Sequence, residues 1–256
     1  MVFTVDVGNT NIVLGGFKDE KLVFTSRVAT ETSKMEDQYA IEFSDIIKLY
    51  GFSPKDFKGA IISTVVPPLI PVLKSAIKKL FGCKVIVVGP GVKTGLNIKI
   101  ENPAILGSDL VCAAVGAMSR HKPPMMIFDL GTATTISAID KNGCFLGGSI
   151  FPGVKVSLNA LSRSTAQLPY ISTELDGDIV IGANTIDSMK SGIVLGTASM
   201  MEGMIDRYKE VLGEETIVIA TGGLAPSIAC HCRRDVIIDN DLLSDGLYIL
   251  YKKNAE

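Results

Sequence analysis

The chain of 256 residues has no tryptophan and only two histidines, His121 and His231. So small a supply argues against a histidine triad or a multi-histidine metal centre. Neither sign of charge dominates: 25 Lys and Arg stand against 27 Asp and Glu, for a formal net charge of −2 and a pI near 5.8. The densest basic spot, "HCRRD" from His231, holds two arginines, so nucleic acid is not an expected partner. Long hydrophobic runs are missing too. The stretch "AIISTVVPPLIPVL" from Ala60 is broken by prolines and polar residues, and no membrane span is expected. The first strand is expected from Val2, which leaves no room for a signal peptide. Five cysteines, an odd number, are scattered through apolar surroundings, as expected for reduced, buried thiols in a cytoplasmic protein. Cys230-His231-Cys232 has no second ligand pair and is read as structural. Chemistry is therefore expected from carboxylates, hydroxyls and backbone amides.

What the sequence does have is apolar mass and a repeat. Apolar residues make up 47% of the chain and the mean hydropathy is +0.35, enough for one large or two medium cores. "FTVDVGNTNIVLGGFKDEKLVF" begins at Phe3 and "MIFDLGTATTISAIDKNGCFLGG" at Met126. With Asp6 set on Asp129, Gly8 falls on Gly131 and Lys18 on Lys141, while Ile12 lies one step from Ile136. Each copy reads as a strand, an Asp-x-Gly turn rich in hydroxyls, a second strand, a polar tip and a third strand. A turn alone would account for Gly and Asn at these places. It leaves unexplained the surplus hydroxyls Thr10, Thr132, Thr134 and Thr135. A phosphate-binding loop explains them, since glycine lets successive N–H groups converge on an anion and the side chains add donors. An aspartate at the strand end repels phosphate unless a cation such as Mg²⁺ with part of its water shell lies between.

Other segments read more simply. "GAIISTVVP" and "KVIVVGP" are expected strands. Helices are expected over "MEDQYAIEFSDIIKLYG", with Tyr39, Phe43, Ile46, Ile47 and Tyr50 on one face, and over "PPLIPVLKSAIKKLFG", with Leu73, Ile77, Leu80 and Phe81. "LGSDLVCAAVGAMSR" is an expected helix from Ser108 or Asp109, where aspartate suits a cap. A long amphipathic helix is expected from Asn184 or Thr185, with Ile186, Met189, Ile193, Met201, Met204, Ile205 and Tyr208 as its packing face. "IVIATGGLA" ends a strand at Gly222-Gly223, and "GGSIFPG" (147–153) has no chemical role readable from its residues.

The double pattern resembles the actin/Hsp70/sugar-kinase superfamily, whose two ribonuclease-H-like halves close on ATP. More narrowly, "DVGNTN", "NPAILGSDL", "DLGTATT", "GGSIFPG", "IGANTIDSMKSG", "TGGLA" and "DNDLLSDGL" stand in the order seen in type III pantothenate kinases. The resemblance runs from Asp6 to about Leu250. It implies an α/β fold of two ribonuclease-H-like domains, expected here over 1–107 and 108–256, and ATP-dependent phosphorylation of pantothenate to 4′-phosphopantothenate. It assigns ATP phosphates to Asp6, Val7, Gly8, Asn9, Thr10, Asn11, Ile12 and Val13 and to Gly131 and Thr132, with adenosine against Gly222 and Gly223. By the same resemblance Asp109 is the general base, Gly107, Ser108, Leu110 and Thr185 lie on the substrate side, Asp6 holds Mg²⁺ through water, and Asp129 holds K⁺ or NH₄⁺. Family members are homodimers that share their substrate pocket.

The departures from the family fall on the acceptor side. Leu110 stands where the family motif continues into arginine, and Ile100 where a tyrosine often lines the pantothenate pocket. A guanidinium is a planar, bidentate partner for a carboxylate such as pantothenate's, so its loss bears on acceptor binding. Three readings follow: a pantothenate kinase that holds its acceptor by other groups, a kinase of a related small alcohol, or a nucleotide-binding regulator of the Bvg accessory factor kind. Retention of Asp6, Asp109 and Asp129 favours catalysis.

Overall fold

Runs rich in Val, Ile and Phe open each copy of the repeat, and each run becomes the central hairpin of its own sheet. The computed structural model describes residues 1–171 and 179–255. Its strands are β1 (Val2–Val7), β2 (Asn11–Lys18), β3 (Lys21–Ala29), β4 (Gly59–Thr64), β5 (Val85–Val87), β6 (Asn97–Ile98), β7 (Met125–Leu130), β8 (Ala133–Ile139), β9 (Cys144–Pro152), β10 (Ile217–Thr221) and β11 (Ile237–Ile238). Its helices are α1 (Glu36–Leu49), α2 (Leu69–Phe81), α3 (Ser108–Arg120), α4 (Val154–Ser164), α5 (Thr185–Leu212), α6 (Ala225–Ala229) and α7 (Leu242–Asn254).

The chain divides into two units. The first comprises Met1–Leu96, Asn102–Ser119 and the chain from Asp241; the second comprises Asn97–Glu101 and Arg120–Asn240. In the first unit the strand order is β3-β2-β1-β4-β5, with β1 antiparallel to β2 and parallel to β4. The side chains alternate as a pleated strand requires. Phe3, Val5 and Val7 point to α1 and α2, where they are buried with Tyr39, Phe43, Ile47, Leu73 and Ile77. Phe3 is the hub of this core; its ring centroid lies 5.7, 5.6 and 5.2 Å from those of Phe43, Phe57 and Phe81.

Helices α3 and α7 also belong to this first unit, although the sequence reading set everything after residue 107 in the second half. The reason is close packing between them. At Gly116 of α3 and Gly246 of α7 a side chain would run into the backbone carbonyls of Leu242 and Cys112 respectively. Only glycine allows backbones this near.

The second unit repeats the plan. Its order is β11-β10-β7-β8-β9-β6, so that β9-β8-β7-β10-β11 matches β3-β2-β1-β4-β5 strand for strand, and β6 is an addition on β9. Met126, Phe128, Leu130 and Ile136 face α4 and α5 and are buried with Leu158, Met189, Met201 and Ile205. The methionines of the long helix are thus largely core, while Ile186, expected on the packing face, is exposed.

The copies differ in one detail that the constant offset hides. Val7 pairs with Ile12 across the first turn, whereas Leu130 pairs with Thr134 across the second. The second turn is one residue shorter, and a longer tip at 140–143 restores the offset.

Candidate active site

In the first unit, β1 delivers Asp6 half-buried at the mouth of the turn, with Asn9 and Thr10 exposed beyond it. The turn is braced by its carbonyls. Gly8 N–H donates to Asn11 C=O at 3.0 Å, Thr30 Oγ1 donates to Gly8 C=O at 2.7 Å, and Thr30 N–H donates to Thr10 C=O at 3.0 Å. Three acceptors are thereby occupied inside the protein, which removes negative dipoles from the surface an anion would meet. Thr30 was not singled out from the sequence; the only trace is a hydroxyl-rich end to the third strand. Val7 and Ile12 are core residues and offer a ligand their backbone alone, while Val13 lies opposite Asp6 in the ladder.

The second unit holds its turn in the same manner. Gly131 N–H donates to Ala133 C=O at 3.1 Å and Gly153 N–H to Thr132 C=O at 3.2 Å. Gly153 gives "GGSIFPG" a role: a side chain there would run into Thr132 O and stand 2.5 Å from Gly131 O. Thr132 is exposed, as a phosphate donor needs to be. Thr134 is not: the shorter turn puts it in β8, fully buried and facing Leu130's side of the sheet, with its hydroxyl unpaired among the described residues. Thr135 lies opposite Asp129, and its Oγ1 is likewise buried without a partner. Gly222, at φ +95°, comes so near Asp129 that a Cβ would stand 2.6 Å from Oδ1. Gly223 follows in the turn that leads to α6.

Asp109 sits in the first turn of α3, in the same unit as Asp6. One carboxylate oxygen accepts the Leu110 N–H at 2.9 Å. This is not capping geometry, which would reach two or three residues on. Burial pushes the Asp109 carboxyl above the ordinary value, against the pull of the Leu110 and Asp109 N–H groups. A carboxylate less well solvated than usual is a better proton acceptor. Beneath it Cys112 is fully buried; burial first, then the charges of Asp6 and Asp109, push its thiol far up, while the Ser63 hydroxyl opposes them. Asp6, Ser63, Asp109 and Cys112 therefore form one polar nest. Ser63 was not foreseen; the ladder places it beside Asp6.

Thr185 is the first residue of α5, yet Asn184 is the cap, its side chain accepting Asp187 N–H at 2.9 Å. Thr185 is exposed and lines an open pocket of about 640 Å³ with Leu161, Leu168, Asn184, Met189 and Ile193. Leu110 is half-buried beside Gly107, and Ile100 belongs to the second unit, next to Gly147.

Residues 2–207 match the family model described as type III pantothenate kinase. The chain belongs to the type III pantothenate kinase family. It is 43% identical over 255 residues to the type III pantothenate kinase of Bacillus cytotoxicus, covering all of this chain and 97% of that one. Among solved structures it resembles a Baf family protein from Campylobacter jejuni, with a TM-score of 0.63 and 20% identity, over 99% of this chain and 98% of that one. It also resembles the ADPNP-bound activator of the 2-hydroxyisocaproyl-CoA dehydratase from Clostridium difficile, with a TM-score of 0.59 and 15% identity, over 99% and 96% of the two chains. These likenesses establish the duplicated ribonuclease-H-like fold of actin-like ATPases and sugar kinases, in agreement with the sequence reading. Among the described residues no helix is long and apolar enough to cross a membrane.

Proposed function

We propose that the protein transfers the γ-phosphoryl group of ATP to the primary hydroxyl of pantothenate, giving 4′-phosphopantothenate and ADP, the first step of coenzyme A synthesis. The observation that carries this reading is family membership across the chain together with 43% identity over its full length. The braced turns at Gly8–Asn11 and Gly131–Thr132 are the phosphate-holding loops, and Gly222-Gly223 lies against the adenosine. Asp109 accepts the hydroxyl proton as that oxygen attacks phosphorus. Its raised carboxyl favours the role, although in phosphoryl transfer positioning and charge neutralisation supply most of the acceleration.

Mg²⁺ bound through water at Asp6 fits the residues present. Among the described residues no three acidic, histidine or cysteine side chains gather as a cage, and Mg²⁺ beside a nucleotide needs only one or two carboxylates. When bound it neutralises phosphate charge. A monovalent cation, K⁺ or NH₄⁺, is assigned to Asp129, which lies opposite Thr135, whose buried hydroxyl has no partner among the described residues. Thr185 contacts the acceptor. The protein acts as a cytoplasmic homodimer; free thiols suit that compartment, and Ile150, Tyr170, Val180 and Ile181 offer exposed apolar surface on the second unit.

The test is ADP release with pantothenate and a panel of similar primary alcohols, with and without K⁺. Turnover strongest with pantothenate is the expected result. Turnover confined to another alcohol would reassign the acceptor, and nucleotide binding without turnover would overturn the kinase reading.

A further inference from the structure

We infer that Ser108 is a positioning residue: it pins the start of α3 to the end of β4 and so sets the Asp109 carboxylate. The inference rests on the reading of Asp109 as the base. Ser108 Oγ lies 3.0 Å from the Thr64 N, 3.1 Å from the Thr64 O and 3.0 Å from Ser63 Oγ. A hydroxyl has one proton to give and two lone pairs to accept with. Donation to Thr64 C=O uses the proton; Thr64 N–H and the Ser63 hydroxyl fill the two lone pairs. All the hydrogen-bonding capacity of Ser108 is thus spent on one strand end.

Strand β4 is the parallel neighbour of β1, with Ser63 in register with Asp6 and Thr64 with Val7. The pin therefore fixes the residue before the base against the strand position adjacent to Asp6. Asp6 and Asp109 are tied to one rigid element rather than joined through the loop at 102–107. Reacting groups lose rate steeply when they drift, and a displacement of about 1 Å costs as much as 100-fold. Alanine at 108 would leave Thr64 N–H and the Ser63 hydroxyl without this partner and the helix start free to drift.

The experiment is a double-mutant cycle on the intact enzyme, with kcat and KM measured for pantothenate and ATP. Ser108→Ala is expected to lower kcat about 10- to 100-fold while KM for ATP stays within about twofold. Ser108→Thr, which keeps the hydroxyl, is expected to restore most of the rate. Asp109→Asn is expected to lower kcat about 100- to 10,000-fold, and adding Ser108→Ala to it should cost little more. An unchanged kcat in Ser108→Ala, or an equal loss in both backgrounds, would show that the pin does not act through Asp109. Should Asp109→Asn keep full turnover, the base assignment itself falls and takes this inference with it. The two failures are thus told apart by the Asp109→Asn arm.

Discussion

Gly107 shows at the scale of one residue why glycine stands two positions before Asp109, the proposed base. A side chain there would collide with Asp109 Oδ1, the free end of a flexible group, and with little else that is rigid. Gly107→Ala is therefore expected to turn the carboxylate away without unfolding the protein. Turnover should fall at least about 10-fold while the melting temperature stays nearly constant. Loss of turnover together with a large drop in melting temperature would count against this account. Asp109 also carries a pH signature. Its carboxyl is raised in the fold by burial, so the native state holds this proton more tightly than the unfolded chain does. Stability linked to this group is greatest at low pH and declines as pH rises through the raised value. Asp109→Asn removes that decline, so at neutral pH the variant should melt no lower than the wild type. In the wild type, the acid limb of kcat/KM should lie above the ordinary carboxylate value. A limb at that ordinary value would remove Asp109 from the role of base.

At the scale of elements, the braced turns show what a sequence tells and what it conceals. Two Asp-x-Gly turns were legible because each interrupts an apolar strand and because there are two of them. The braces were not legible. Thr30 and Gly153 act from 20 residues or more along the chain, and nothing in their own neighbourhoods says which turn they hold. Thr134 misled for a related reason: a hydroxyl one place inside a strand looks like one in the turn, yet the pleat turns it into the core. Helices α3 and α7 posed a third difficulty, since an apolar face says that a helix packs but not against which sheet. Gly153→Ala tests the brace directly. Because the clash is with backbone, the 131–132 turn has to move. The expected cost is about 1–3 kcal/mol of stability and a raised KM for ATP, measured by denaturant unfolding and initial rates. Gly203→Ala in α5 is the contrasting case, as a Cβ there meets nothing within 4 Å. Relief of helix-interior glycine should raise stability by about 0.5–1 kcal/mol. Destabilisation by Gly203→Ala would mean that this face of α5 is covered in the assembled enzyme.

At the scale of the whole molecule, the two copies are informative where they diverge. Asp6 is in register with Ser63, and Asp129 with Thr221, so each aspartate has a hydroxyl residue beside it on the parallel strand. One position further the copies part. The first has Thr64, engaged with Ser108; the second has Gly222, held at positive φ and packed so close that a Cβ would stand 2.6 Å from Asp129 Oδ1 and 2.8 Å from the Leu130 backbone. The proposed function gives the two aspartates of this repeated motif different cations, Mg²⁺ at Asp6 and a monovalent ion at Asp129. Two variants should therefore separate the cations. Asp129→Asn is expected to flatten the dependence of rate on K⁺ while leaving the Mg²⁺ dependence close to wild type, and Asp6→Asn is expected to do the reverse. Gly222→Ala, whose Cβ would press on Asp129 Oδ1 and the Leu130 backbone without touching charge, should weaken K⁺ activation in the same direction as Asp129→Asn, at some cost in stability from that contact and from its backbone conformation. Titrations of initial rate against each cation decide the matter. A K⁺ activation midpoint unchanged in both Asp129→Asn and Gly222→Ala would place the monovalent ion elsewhere and leave Asp129 as a residue of the turn alone.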